Sequence, residues 1–183
     1  VKISGEPIIY NNVKAKAHPD SSLINFEDEM YGELIDVQYS NNNPKELIIK
    51  GMANSLYNVI EDSLHEGYNE VSGDTIRISF IDKKIQRMQV DGGCRGEFNP
   101  NPVTSDIATT IHYFADQIDY QIDEKLNYFY NNTTIQYSDT ELESEFVKVD
   151  WHSNELLSYM VDGSRPQIKS DGNRNPMIGD TLI

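Results

Sequence analysis

Cysteine is almost missing from this 183-residue chain. The single residue, Cys94, leaves no internal disulfide and no cysteine-built zinc site. Basic residues are scarce as well: 15 Lys and Arg face 30 Asp and Glu, a net charge of −15. Phosphate binding needs a basic stripe, so a nucleic-acid partner is excluded. Attraction to an anionic membrane surface fails for the same reason. No apolar run reaches the roughly 18 residues that would span a bilayer as a helix. Apolar residues make up 38% of the chain, lean for a globular protein, yet 25% charged and 10% aromatic residues remain a folding composition. Such a length suits one sizeable domain or two small ones. The chain opens on Val1 with no basic-then-apolar leader before it, so a missing signal peptide is no evidence for a cytosolic home.

The marks of catalysis are equally thin. No Gly-x-Ser-x-Gly, phosphate loop, His-x-His or His-Glu-x-x-His occurs. His18, His65, His112 and His152 are far apart, and at this density of acids chance carboxylate pairs carry no information. Asp171-Gly172-Asn173-Arg174-Asn175 begins like a calcium loop, but Pro176 stands where glycine is required, so it reads as a turn.

What the chain does have is alternation. Ile35-Asp36-Val37-Gln38-Tyr39, Ile76-Arg77-Ile78-Ser79-Phe80 and Val147-Lys148-Val149-Asp150-Trp151 each set apolar side chains on one face, as half-buried strands do. Turn signals lie between such runs, at Asn41-Asn42-Asn43-Pro44, Asp82-Lys83-Lys84, Asp123-Glu124-Lys125 and His152-Ser153-Asn154. From Ser105 to Asp116, Ile107, Ile111 and Phe114 recur at helical spacing. The β-branched Thr109-Thr110-Ile111 turns that reading to strand. The expected class is all-β.

The runs are also copies of one another. Gly32-Glu33-Leu34-Ile35-Asp36-Val37-Gln38-Tyr39 aligns with Gly73-Asp74-Thr75-Ile76-Arg77-Ile78-Ser79-Phe80. Ala115-Asp116-Gln117-Ile118-Asp119-Tyr120-Gln121-Ile122 and Ser144-Glu145-Phe146-Val147-Lys148-Val149-Asp150-Trp151 follow, and Gly179-Asp180-Thr181-Leu182-Ile183 begins a fifth. A small residue, an acid, any residue, then three alternate apolar residues is the shared rule. Glu33, Asp74, Asp116 and Glu145 hold one place in every copy, which suggests a strand-start role, bonding to a turn amide. Each complete copy leads through a polar turn into a second strand, so the unit is an antiparallel β-hairpin. A hairpin cannot bury its apolar face alone. Hairpins side by side form either a U-shaped, jelly-roll-like sheet or a solenoid, and the uneven repeat length argues against a strict solenoid. The sheet's ends remain as unpaired edges that invite another sheet.

Gly51-Met52-Ala53-Asn54-Ser55-Leu56-Tyr57, and Gly67 to Ile76 running on through Lys84-Ile85-Gln86-Arg87-Met88, resemble motifs of the OstA-like lipopolysaccharide-transport proteins. Tyr137 to Glu145, ending in Val149-Asp150-Trp151, looks like the family's second signature. Met52 stands where the family commonly carries Asn, and Cys94 where a small residue is common; neither is read as touching an alternating apolar position. The resemblance, covering about residues 32–183, implies a U-shaped twisted β-jelly roll without catalytic activity or cofactor. Its members, the bridge protein LptA and the periplasmic domain of LptD, hold lipopolysaccharide acyl chains inside. They join edge to edge across the Gram-negative periplasm. This chain is then expected to be one such domain over 1–183, an excerpt continuing past Ile183. Its partners would be lipopolysaccharide and either other jelly-roll transport proteins or itself.

On that reading the groove is lined by Ile35, Val37, Tyr39, Ile76, Ile78, Phe80, Ile118, Tyr120, Ile122, Val147, Val149 and Trp151. From alternation alone, the same residues read first as an ordinary packed sandwich core, and it is the resemblance that turns the reading to a groove. Two alternatives to transport therefore stand: a structural or adhesive β-repeat with a filled interior, and a carbohydrate-active enzyme on a β scaffold.

Overall fold

The computed structural model describes residues 13–17, 28–61, 64–82, 84–170 and 175–183. His18, Lys83 and residues 171–174 of the calcium-like loop lie outside the described residues. The regular elements described are all strands: β1 (Val13–Ala17), β2 (Asp28–Gly32), β3 (Leu34–Ser40), β4 (Asn43–Glu61), β5 (Leu64–Ile81), β6 (Lys84–Pro100) and β7 (Ile111–Gln121). The series continues with β8 (Leu126–Tyr137), β9 (Thr140–Asp150), β10 (Glu155–Tyr159), β11 (Gln167–Ser170), β12 (Met177–Ile178) and β13 (Thr181–Leu182). They form one 13-stranded sheet in the order β1-β2-β4-β5-β6-β7-β8-β9-β10-β13, with β3 beside β4 and β11 joining β9 to β12. All the pairings are antiparallel, and from β3 to β10 successive strands pair, as the repeats require. Asn41 and Asn42 are both left-handed (φ 51° and 62°), the pair that a two-residue turn between twisted strands needs.

The sheet is folded along a crease, and the crease is written into the repeats. Register slips on a single line across the strands, between Lys50 and Ala53, Ser72 and Thr75, Asp91 and Cys94, Phe114 and Gln117, and Tyr130 and Thr133. On β4, β6 and β8 the extra residues are left-handed pairs: Gly51-Met52 (φ 74° and 45°), Gly92-Gly93 (87° and 58°) and Asn131-Asn132 (58° and 47°). On the intervening strands stand the small-acid pairs. A Cβ on Gly51 would sit 2.4 Å from the Glu33 carboxylate, and one on Gly92 would sit 2.3 Å from that of Asp74. The Asn132 amide donates to Glu145 Oε2 at 3.2 Å, and its side chain donates to Asp116 Oδ2 at 2.9 Å. The acids therefore do meet a turned backbone: Glu33 stands just before the start of β3, as expected, whereas Asp74, Asp116 and Glu145 lie in mid-strand. Bulges bend a strand where they occur, and a column of them bends the whole sheet.

Two leaves result. Leaf one holds β1, β2, β11, β12 and the portions of β4 to β9 on their side of the crease; leaf two holds β3, β10, β13 and the remainder. Aromatic pairs join the leaves face to face: Tyr113 with Phe129 (5.4 Å between centroids), Tyr57 with Tyr120 (6.3 Å) and Phe98 with Trp151 (6.1 Å). Residues 105–110, expected as strand, form a loop instead, and β7 starts at Ile111. Pro102 cannot donate to a ladder, and the Asn101 side chain ties the loop back to the His65 carbonyl at 2.9 Å.

Candidate functional site

The repeated apolar positions converge because the register aligns them. Ile35, Ile49, Ile76, Val90, Ile118, Phe129 and Val147 are successive cross-strand partners, and the row continues through Ser158 to Leu182 of the fifth copy. A second row runs Val37, Leu47, Ile78, Met88, Tyr120, Asn127, Val149, Leu156. First and second apolar positions of each copy thus fall on two lanes crossing the strands, facing leaf one.

Of the residues expected to line a groove, Ile76, Ile78, Ile118, Tyr120 and Val147 are buried. Ile35, Val37, Phe80, Ile122 and Val149 are partly buried and packed against that core. Trp151 packs on Phe98, while Tyr39 is 46% exposed and lies outside the cluster. The third position leaves the lanes because the ladder slips again between Gln38 and Tyr39 and between Ser79 and Phe80.

Sequence reasoning missed the other half of the lanes: Leu47, Ile49, Met88, Val90 and Phe129 sit on the second strand of each hairpin. Pairing each copy across its turn would have found them. It also missed leaf one, where Val71, Tyr113, Ile135 and Leu142 face inward. Cys94 needs correcting, since it is an inward position, wholly buried. Its Sγ contacts the carbonyls of Val90 and Asp116 at 3.2 and 3.3 Å, and burial, aided by Asp91, pushes the thiol up to about 12.

Between the leaves lies a polar knot. Tyr120 Oη donates to Tyr113 Oη at 2.8 Å, and Tyr113 Oη donates to Asn69 Oδ1 at 2.8 Å. Asn69 Nδ2 and Ser55 Oγ are buried without a hydrogen-bond partner. Burial drives the phenols of Tyr57, Tyr113 and Tyr120 well above the ordinary tyrosine range. The lanes are therefore filled by their own side chains. The two hollows described are lined mostly by polar residues, though Tyr113 and Phe114 also wall the first. One, of about 610 Å³, is lined by Asn54, Glu70, Arg95, Glu97 and His112 among others; the second, of about 230 Å³, lies at a hairpin end of leaf two. Among the described residues no group of three His, Cys, Asp or Glu could hold a metal ion.

No protein-family model matches the sequence, and no curated protein matches it either. Among solved structures, similarity is found to LptH, the LptA-homologous periplasmic component of the lipopolysaccharide transport device of Pseudomonas aeruginosa. The TM-score is 0.54 at 12% identity, covering 85% of this chain and 94% of LptH. The shared feature at that identity is the fold: this chain is an LptA-like β-jelly roll.

Proposed function

We propose that this chain is a periplasmic module that carries lipopolysaccharide, shielding lipid A acyl chains between its leaves, with no catalytic step. One observation carries the reading. The apolar lanes, interrupted by Asn127 and Ser158, run across the strands, not along them, from β3 to β10. Eight strands at about 4.8 Å spacing make a lane of about 34 Å that heads for the sheet's edges. There β1, β3, β12 and β13 each pair on one side alone among the described residues. A second sheet added at such an edge, from another jelly roll or a second copy, extends the lane.

The energetics call for such a lane. Each methylene is worth about 0.8 kcal/mol of burial, so a chain of a dozen carbons faces on the order of 10 kcal/mol in water. A lining in which apolar side chains predominate along the whole lane lowers that barrier without trapping the lipid at one point. Because the lanes are filled, acyl chains enter by parting the leaves about the crease, replacing side-chain contacts with lipid contacts of the same chemistry.

The filled interior also favours a second reading, a structural β-repeat with a permanently dry core. Photocrosslinkers at Ile78 and Tyr120 separate the two. Lipopolysaccharide captured at both sites, and not at exposed Asp82, is the expected outcome. Capture at the level of Asp82 would favour the structural repeat.

A further inference from the structure

The outer face of leaf two carries an aromatic track that the lipid reading does not use. Tyr130 and Phe146 are cross-strand partners on β8 and β9, Tyr159 of β10 packs its ring beside Phe146, and Tyr128 lies next to them. They lie on the opposite face from Phe129, Val147 and Ser158, which point into the core. Phe146 and Tyr159 centroids are 4.5 Å apart, Tyr130 and Phe146 5.6 Å, and Tyr128 and Tyr130 6.4 Å at 18° between planes. Tyr159 is 42% exposed, so the far end of the track is open.

At its near end the track meets a rigid polar group. Asp119 points outward yet is 4% exposed, because Arg87 clasps both its oxygens at 2.6 and 2.7 Å. Arg87 in turn walls the 230 Å³ hollow together with Gln86, Gln121, Asp123 and Glu124. A row of packed rings, of which Tyr128 and Tyr130 stack, thus runs toward a pocket of fork-shaped donors and acceptors. One cation there is already paired, and two carboxylates remain.

We propose that this track and hollow form an oligosaccharide-binding site, independent of the lipid lane. A pyranose has an apolar face of C–H groups and a rim of hydroxyls. The first matches half-exposed rings, and the second matches amide, carboxylate and guanidinium forks. Charge narrows the choice further. The two unpaired carboxylates and the −15 net charge repel a phosphate or nucleotide, whereas a neutral sugar is unaffected.

Saturation-transfer NMR on the full chain tests this with maltoheptaose, cellohexaose and the lipid-free core oligosaccharide released from lipopolysaccharide by mild acid. Transfer to at least one probe is expected, with affinity falling at least fivefold in Tyr130→Ala and in Tyr159→Ser. Binding of the glucans points to free glycan as the source, and binding of the core alone points to a lipid-linked one. Tyr159 is exposed, so Tyr159→Ser decides if Tyr130→Ala fails to fold. The site is refuted by no transfer to any probe, by transfer unchanged in Tyr159→Ser, or by a proline-rich decapeptide binding where no sugar does.

Discussion

The tyrosine knot between the leaves gives the sharpest quantitative expectation. Tyr120→Phe removes one hydroxyl, the donor to Tyr113 Oη, but Tyr113 keeps its own bond to Asn69. The loss is one ordinary hydrogen bond, about 1 kcal/mol. Tyr113→Phe removes the middle of the chain. It leaves the buried Tyr120 hydroxyl without its acceptor and Asn69 Oδ1 without its donor, while Asn69 Nδ2 has no partner to begin with. Buried groups left unpaired cost about 1–3 kcal/mol each, so about 3 kcal/mol is expected in all. For a domain of this size 1 kcal/mol moves Tm by about 2–4 °C, which puts Tyr120→Phe about 3 °C and Tyr113→Phe about 9 °C below the parent. The double variant should be no less stable than Tyr113→Phe, because the second change removes a hydroxyl that has already lost its partner. Calorimetry of the four proteins measures all of this. Tyr120→Phe matching Tyr113→Phe, or strict additivity in the double variant, would refute the hydrogen-bond chain.

Three further outcomes follow from burial and backbone geometry. Tyr57, Tyr113 and Tyr120 keep their protons far better folded than unfolded. Their contribution is complete below about pH 10 and declines as pH rises above it, by about 1.4 kcal/mol per pH unit per tyrosine. Urea midpoints measured from pH 9 to 11 should fall accordingly, and a flat profile contradicts the burial. Cys94, buried and raised to about 12, should react with a thiol reagent only at the rate of global unfolding. Labelling that outpaces unfolding is the contrary result. In the crease, Gly92→Ala pushes a Cβ into Asp74 at φ 87° and should cost more than about 2 kcal/mol. Gly93→Asn meets nothing within 4 Å and copies Asn132, so it should cost under about 1 kcal/mol; equal denaturation midpoints for the two would oppose this account.

Much of this was legible in the sequence because it is local. A small residue followed by an acid recurs at Gly32-Glu33, Gly73-Asp74, Ala115-Asp116 and Ser144-Glu145 since each faces a bulge or strand break, where Glu145 accepts from the Asn132 backbone amide. Its meaning was harder to read: a motif that accompanies bulges looks, one strand at a time, like the start of a strand. Ile76 and Ile78, or Val147 and Val149, were recognisable from alternation. Tyr39 was misleading, because alternation does not register the ladder slip beside it.

The chain's local chemistry alone determined an all-β hairpin array, the inward face of each first strand, and a strongly acidic surface. Each of these rests on side-chain period, turn residues or summed charge, which neighbours along the chain decide among themselves. Tertiary structure alone decided that the first and second positions of the copies share two continuous lanes, that the sheet creases where the acids stand, and that the leaves close through tyrosines. It also set four outward rings beside the Arg87–Asp119 clasp. Those outcomes depend on register between strands as much as 44 residues apart, as in the bond from Tyr113 to Asn69, and no local pattern encodes such a distance.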